Sequence, residues 1–283
     1  MNRAYFNALK VVAKQIPPTD LFLLDLFPDA AAAFSFRKLR AAYSGAAIRV
    51  RRSSDNAEQD IGFDANNDLD TAALLDFVGS GNGFVTKYYD QGLLGADSQN
   101  TDFVRQQRIV NAGVLQTRNG KPCAVSPESA NAANAYTLNT SSILTTSFVY
   151  ARNNSNTVEY IAGINGGGLF VGGTLSEFNG VGFFVAPTAR SSNLGEDLNQ
   201  HISLFYTKNT NDGFVRVDNS GEVNIGDLGN TSYNFNTLFG RSDISNNAVM
   251  FRGIFQEAIF WPVDYSGQAI AIRDNQNSYY NVY

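Results

Sequence analysis

The sequence holds one cysteine, one histidine, one tryptophan and seven prolines in 283 residues, and each scarcity removes a class of chemistry. A lone thiol, Cys123, excludes an internal disulfide and any multi-cysteine metal site. His201 is the one residue available to a Ser-His-Asp or Cys-His device, and no Gly-x-Ser-x-Gly elbow accompanies it. A lone histidine opening a strand reads as a packed residue rather than a base. No apolar run reaches the length of a membrane span. A secretory pattern is also missing, since Lys10 and Lys14 interrupt the early apolar residues and Pro17-Pro18 follows. No fixed period recurs, which argues against a solenoid or β-helical spike. Basic residues thin out after position 55: the first 55 residues hold 9 Lys/Arg and 4 Asp/Glu, the remainder 12 and 22. So acidic a body is a poor match for nucleic acid.

Glycine, phenylalanine and tyrosine are plentiful (25, 21 and 13), and with abundant Asn, Ser and Thr they favour short strands joined by tight turns. Strands are expected at Thr145–Arg152, Val158–Ile164, Leu169–Val171, Val181–Ala186, His201–Lys208, Gly213–Val217, Asn234–Gly240 and Phe251–Trp261. Asn165-Gly166, Asn179-Gly180, Asp212-Gly213 and Ser220-Gly221 punctuate them, a sandwich or jelly-roll pattern. Ser266 is placed to cap a C-terminal helix. Residues 1–45 read as an N-terminal helical and extended arm, and 46–283 as the sandwich domain. In the arm, Leu9, Val12 and Ile16 keep helical spacing up to Pro17. The run Leu21, Phe22, Leu23, Leu24, Leu26, Phe27 is too apolar for a free tail and must pack on the domain or on a partner. Asp29 is expected to cap a helix over Ala30–Tyr43.

The densest chemistry lies in Ala46–Phe63. Arg49, Arg51 and Arg52 face Asp55, Glu58 and Asp60 across a polar turn, a pattern for a structural polar lock built from two-pronged guanidinium–carboxylate bonds. The acidic run Asp64–Asp70 fails the calcium-loop template and reads instead as a turn whose Asp70 caps a helix over Thr71–Val78.

Four stretches, Arg40–Gly45, Val50–Asn56, Gln59–Gly62 and Tyr89–Gln91, match in order and spacing the N-terminal part of the catalytic domain of the alpha-L-arabinofuranosidase B family. The same opening resembles segments of phage structural proteins that precede a laminin-G-like or concanavalin A-like jelly roll. The closing stretches 201–221 and 251–283 also resemble the laminin-G-like superfamily. These resemblances imply a mainly β, concanavalin A-like/laminin-G-like jelly-roll sandwich with an N-terminal helical arm and a C-terminal helix. Glycoside hydrolysis needs two opposed carboxyl groups, and Glu159, Glu177, Asp218 and Glu257 are the strand-borne candidates. Residues 163–180 lack the family's cysteine pair and its Asp-x-Gly-Asn-Ala-Glu run, so no catalytic residue is assigned. No cofactor-binding residue, metal ligand or cofactor is assigned either.

The expectation is therefore a non-catalytic bacteriophage virion structural protein of tail or capsid, assembled in the host cytoplasm. Its arm would dock on other virion proteins, and its aromatics, Trp261 among them, would bind a host-surface glycan. Nucleic acid and membrane insertion are not expected, and homo-oligomerisation is left open. The alternative is an arabinofuranosidase-like glycoside hydrolase.

Overall fold

A computed structural model describes residues 22–127, 135–153, 157–172, 174–175, 178–194, 197–241 and 250–283. Two antiparallel sheets face each other, as the alternation of apolar residues along the strands requires. The large sheet runs from Val223–Asp227 through Gln200–Tyr206, Thr145–Arg152 and Gly253–Trp261 to Gly83–Tyr88, Ile48–Arg52 and Glu58–Ile61. The small sheet orders Tyr136–Thr137, Thr237–Leu238, Glu159–Ile164, Gly167–Val171, Gly182–Val185 and Thr188–Ser191. Between them lies one apolar core with Ile48, Val50, Val85, Tyr88, Ile161, Leu169, Phe183 and Phe255. Burying each such large side chain contributes about 1.5–3 kcal/mol.

A second apolar layer covers the outer face of the large sheet. The C-terminal helix Ala269–Tyr280 lays Ala269, Ile272 and Tyr280 against Val149, Ile202, Leu204, Ile259 and Trp261. Leu23, Leu24 and Phe27 join the same layer. The Trp261 indole is wholly buried and donates to the Phe27 carbonyl at 3.0 Å, so it presents no face to a sugar.

The helix expected over Ala30–Tyr43 is instead a strand at its start. Ala32–Ser35 pairs antiparallel with Phe260–Glu257, and all four of its residues are buried. Alanine-rich local propensity favours helix, but pairing with Phe260–Glu257 and burial of both faces of the strand win. The expected helix of the first sixteen residues lies outside the described residues, as does Leu21. Thr71–Val78 is helical as expected, with Asp70 accepting from the Ala73 N–H at 2.9 Å and Gly79 closing it at positive φ. Ser266 opens a 3-10 turn, Ser266–Gln268, ahead of the C-terminal helix and is held by Asp264 rather than capping with its own side chain.

Candidate functional site

The small sheet positions the candidate site by the period of its strands. Residues directly opposite in an antiparallel pair share a face, and neighbours along a strand alternate. Ala162, Leu169 and Phe183 point into the core. Tyr160 opposite Phe170, and Phe184 opposite Gly168, therefore point outward. Glycines at 168 and 182 leave room for those rings: a Cβ at Gly182 would collide with the Phe170 ring, and one at Gly168 would meet Tyr160. Tyr160 stands edge-on to Phe170 and to Phe184 with ring centroids 6.4 Å apart in both pairs. The Arg241 guanidinium lies over Tyr160 at 5.0 Å and over Phe184 at 5.2 Å. Tyr160 and Phe170 are buried, while Phe184 and Arg241 are half-buried and form the accessible rim of an aromatic and cationic platform. Arg241 Nη1 also donates to the Tyr160 hydroxyl at 3.4 Å, and aromatic rings of this kind are surfaces on which the C–H face of a sugar ring stacks.

The candidate carboxylates divide. Glu159 lies opposite Val171 and so faces the core side, at the end of the sandwich. It accepts from the Thr157 hydroxyl at 3.0 Å and the Arg252 backbone N–H at 3.1 Å, and burial pushes its carboxyl up to about 7. Glu257 sits under the C-terminal helix on the far side of the large sheet. It accepts from Arg37 Nε at 2.8 Å and Nη2 at 3.1 Å, and from Ser35, Gln276 and Tyr280. Burial drives the Glu257 carboxyl up, but the Arg37 charge and these hydrogen bonds override it and leave the group below its ordinary value. Every oxygen lone pair has an internal use, so Glu257 is a structural acid. Asp218 binds His201 Nδ1 at 2.6 Å and the Ile202 N–H at 2.8 Å, while Asp197 lies 3.2 Å from His201 Nε2. The buried histidine thus ties two strands and a loop. Glu177 lies outside the described residues.

The arginine-rich hairpin lies on the other side of the sandwich. Arg49 grips Asp60 with two bonds of 2.6 and 3.0 Å, and Arg52 grips Asp55 with bonds of 2.9 and 2.7 Å. Arg51 instead reaches the neutral side chains of Gln106 at 2.9 Å and Asn56 at 2.7 Å, and Glu58 remains exposed. In the apolar run, Leu24 and Phe27 are buried within the domain, Phe22 is half-buried and Leu26 is 40% exposed. The acidic stretch closes on itself: Asp64 accepts from the Asn66 and Asp68 N–H groups, and Asp68 accepts from Tyr279.

Sequence reasoning missed what the Tyr-Asp-Gln stretch does. Asp90 is buried and accepts from the N–H groups of Ala33, Gly92 and Ala96. Gln91 accepts from Leu39 N–H and donates to the carbonyls of Ser35 and Arg37. Together they clamp the N-terminal strand into the fold. The Tyr160–Arg241 platform was missed as well; the one available signal was the spacing of aromatics and glycines along 160–184.

A family model described as alpha-L-arabinofuranosidase B, catalytic, matches residues 18–174. Among solved structures, an arabinofuranosidase complexed with arabinofuranosyl-α-1,2-xylobiose superposes with a TM-score of 0.62 at 16% identity, covering 92% of this chain and 64% of that one. A GH54 α-L-arabinofuranosidase soaked with a cyclic sulfate inhibitor gives 0.60 at 14% identity over the same shares. This chain thus spans under two thirds of the length of those proteins, and at these identities the likeness shows the shared fold. No curated protein sequence matches. The findings correct the expectation of a non-catalytic bacteriophage virion protein. They point to the family of the alpha-L-arabinofuranosidase B catalytic model, and Leu24 and Phe27, expected to dock the chain on a tail or capsid, are buried within its second apolar layer.

Proposed function

Since the chain belongs to the alpha-L-arabinofuranosidase B catalytic family, we propose that it is a glycoside hydrolase that releases α-L-arabinofuranosyl groups, with the outer face of the small sheet as its sugar site. The observation that carries this reading is the family match over residues 18–174, which includes the two strands bearing Tyr160 and Phe170. Phe184 and Arg241 would take the sugar, supported from beneath by Tyr160 and Phe170. Hydrolysis needs one carboxyl to protonate the leaving oxygen and a second to act as nucleophile or base. Among the residues outside those described, Glu177 follows Gly172 in the chain and Asp243 follows Arg241. Glu177, one of the strand-borne candidates, and Asp243 are therefore the first acids to substitute.

The test is turnover of 4-nitrophenyl α-L-arabinofuranoside. Glu177→Gln and Asp243→Asn are each expected to lower kcat by about 100-fold or more, the usual scale for a positioned acid or base. Arg241→Ala is expected to raise KM more than it lowers kcat. A wild-type chain without turnover, or one indifferent to both acid changes, would end the proposal.

A further inference from the structure

The hairpin that carries the arginines also forms one wall of a recess that the reading above does not use. It measures about 200 Å3 and is lined by Arg49, Glu58, Thr86, Lys87, Gln99 and Phe103, with Gln106 at its base. Arg49 alternates with the core residues Ile48 and Val50, and Lys87 and Gln99 share its row across the strands. The recess therefore opens on the outer face of the large sheet, with the sandwich between it and the Tyr160 platform.

From this geometry we infer that the recess is a second saccharide-binding groove, one that holds a neutral oligosaccharide rather than cleaving it. Three features support the assignment. First, its walls are rigid. Arg51 is buried and stacked between Phe84 at 4.8 Å and Phe103 at 4.1 Å, with its Nε bonded to Gln106 and Nη1 to Asn56. Gln106 in turn donates to the Asn100 carbonyl, fixing the loop that carries Phe103. Second, the Phe103 ring is held on one face by a guanidinium yet is 52% exposed, the geometry of a stacking surface for a sugar's C–H face. Third, the polar rim is mixed: the Glu58 carboxylate, the Gln99 amide and the Thr101 hydroxyl accompany Arg49 and Lys87. Arg49 is matched by Asp60, and Lys87 lies 3.4 Å from Asp97, so no strong excess of positive charge selects an anion. Acceptors, donors and an aromatic ring around a shallow recess suit alternating hydroxyls.

This groove takes its substrate class from the proposed hydrolase, since a domain acting on arabinofuranosyl side groups meets their polysaccharide backbone. The experiment is calorimetric titration of the full chain with arabinoxylan oligosaccharides, run beside turnover of 4-nitrophenyl α-L-arabinofuranoside. Phe103→Ala, Glu58→Gln and Gln99→Ala lie on the exposed surface and are each expected to weaken oligosaccharide binding by about three- to tenfold. Turnover of the small aryl substrate should not change in these variants; the urea midpoints of Glu58→Gln and Gln99→Ala should equal that of the wild type, and that of Phe103→Ala should fall modestly because the ring covers Arg51. Binding by the wild type that all three variants retain undiminished would overturn the groove, as would no binding at all. Groove-dependent binding without turnover would remove the hydrolase reading and leave the groove standing.

Discussion

Among the arginine–carboxylate pairs of the described residues, those of the N-terminal hairpin and the one at Glu257 sit in opposite environments. Arg49–Asp60 and Arg52–Asp55 lie on an exposed hairpin, with side chains 34–50% accessible. Arg37–Glu257 lies beneath the C-terminal helix, with side chains 10% and 0% accessible. The hairpin is conspicuous in the sequence because its partners are close along the chain. The buried pair is inconspicuous because its partners are 220 residues apart. Energetic weight runs the other way. Water and salt screen the hairpin, so each exposed pair is worth about 0–1 kcal/mol. In the buried pair the partners depend on each other, because removing one leaves an uncompensated charge.

Glu257→Ala should therefore have the largest effect, a loss of about 3–5 kcal/mol in urea unfolding, because Arg37 is left charged among Tyr279, Tyr280 and Ser35. A loss below about 1 kcal/mol would break the comparison. Glu159 supplies an intermediate case, a buried acid whose hydrogen bonds come from a hydroxyl and a backbone N–H. Its carboxyl is raised from 4.5 to about 7, so between those values the folded chain keeps a proton that the unfolded chain releases. Stability should fall as pH rises through that window, by about 3 kcal/mol when complete above pH 7. Urea midpoints of the wild type and Glu159→Gln across pH 4.5–8 check this; the variant should show the flatter profile. Tyr280→Phe removes one of several donors to Glu257 and should cost about 1–2 kcal/mol. Arg49→Ala should cost less than about 1 kcal/mol, and the difference should vanish in 1 M salt.

The same contrast explains what could be read in advance. The helix Thr71–Val78 was legible because its cap, Asp70, and its stop, Gly79, are local signals. The strand Thr145–Arg152 was legible because β-branched and aromatic residues dominate it. Ala32–Ser35 was not, since its identity as a strand comes from a partner at the other end of the chain. Asp90 and Gln91 were visible as a motif, but their work is to satisfy backbone groups of residues 33–39, which only the folded path brings near. At the candidate site, Glu159 was legible as a strand-borne acid. Its direction was not, because the register slips between Tyr160 and Ala162 and sequence alternation alone does not reveal such a shift. Arg241 joins Tyr160 from 81 residues away and carries no local signature.

The pairing of Ala32–Ser35 with Phe260–Glu257 has a consequence for how the chain is made. A ribosome releases the early segment long before its partner, so the nascent chain carries an unsatisfied, apolar edge through most of synthesis. Contacts of such long sequence separation close late and slowly. Until they close, that edge is the part of the molecule most open to chaperones and to mispairing with a second nascent copy.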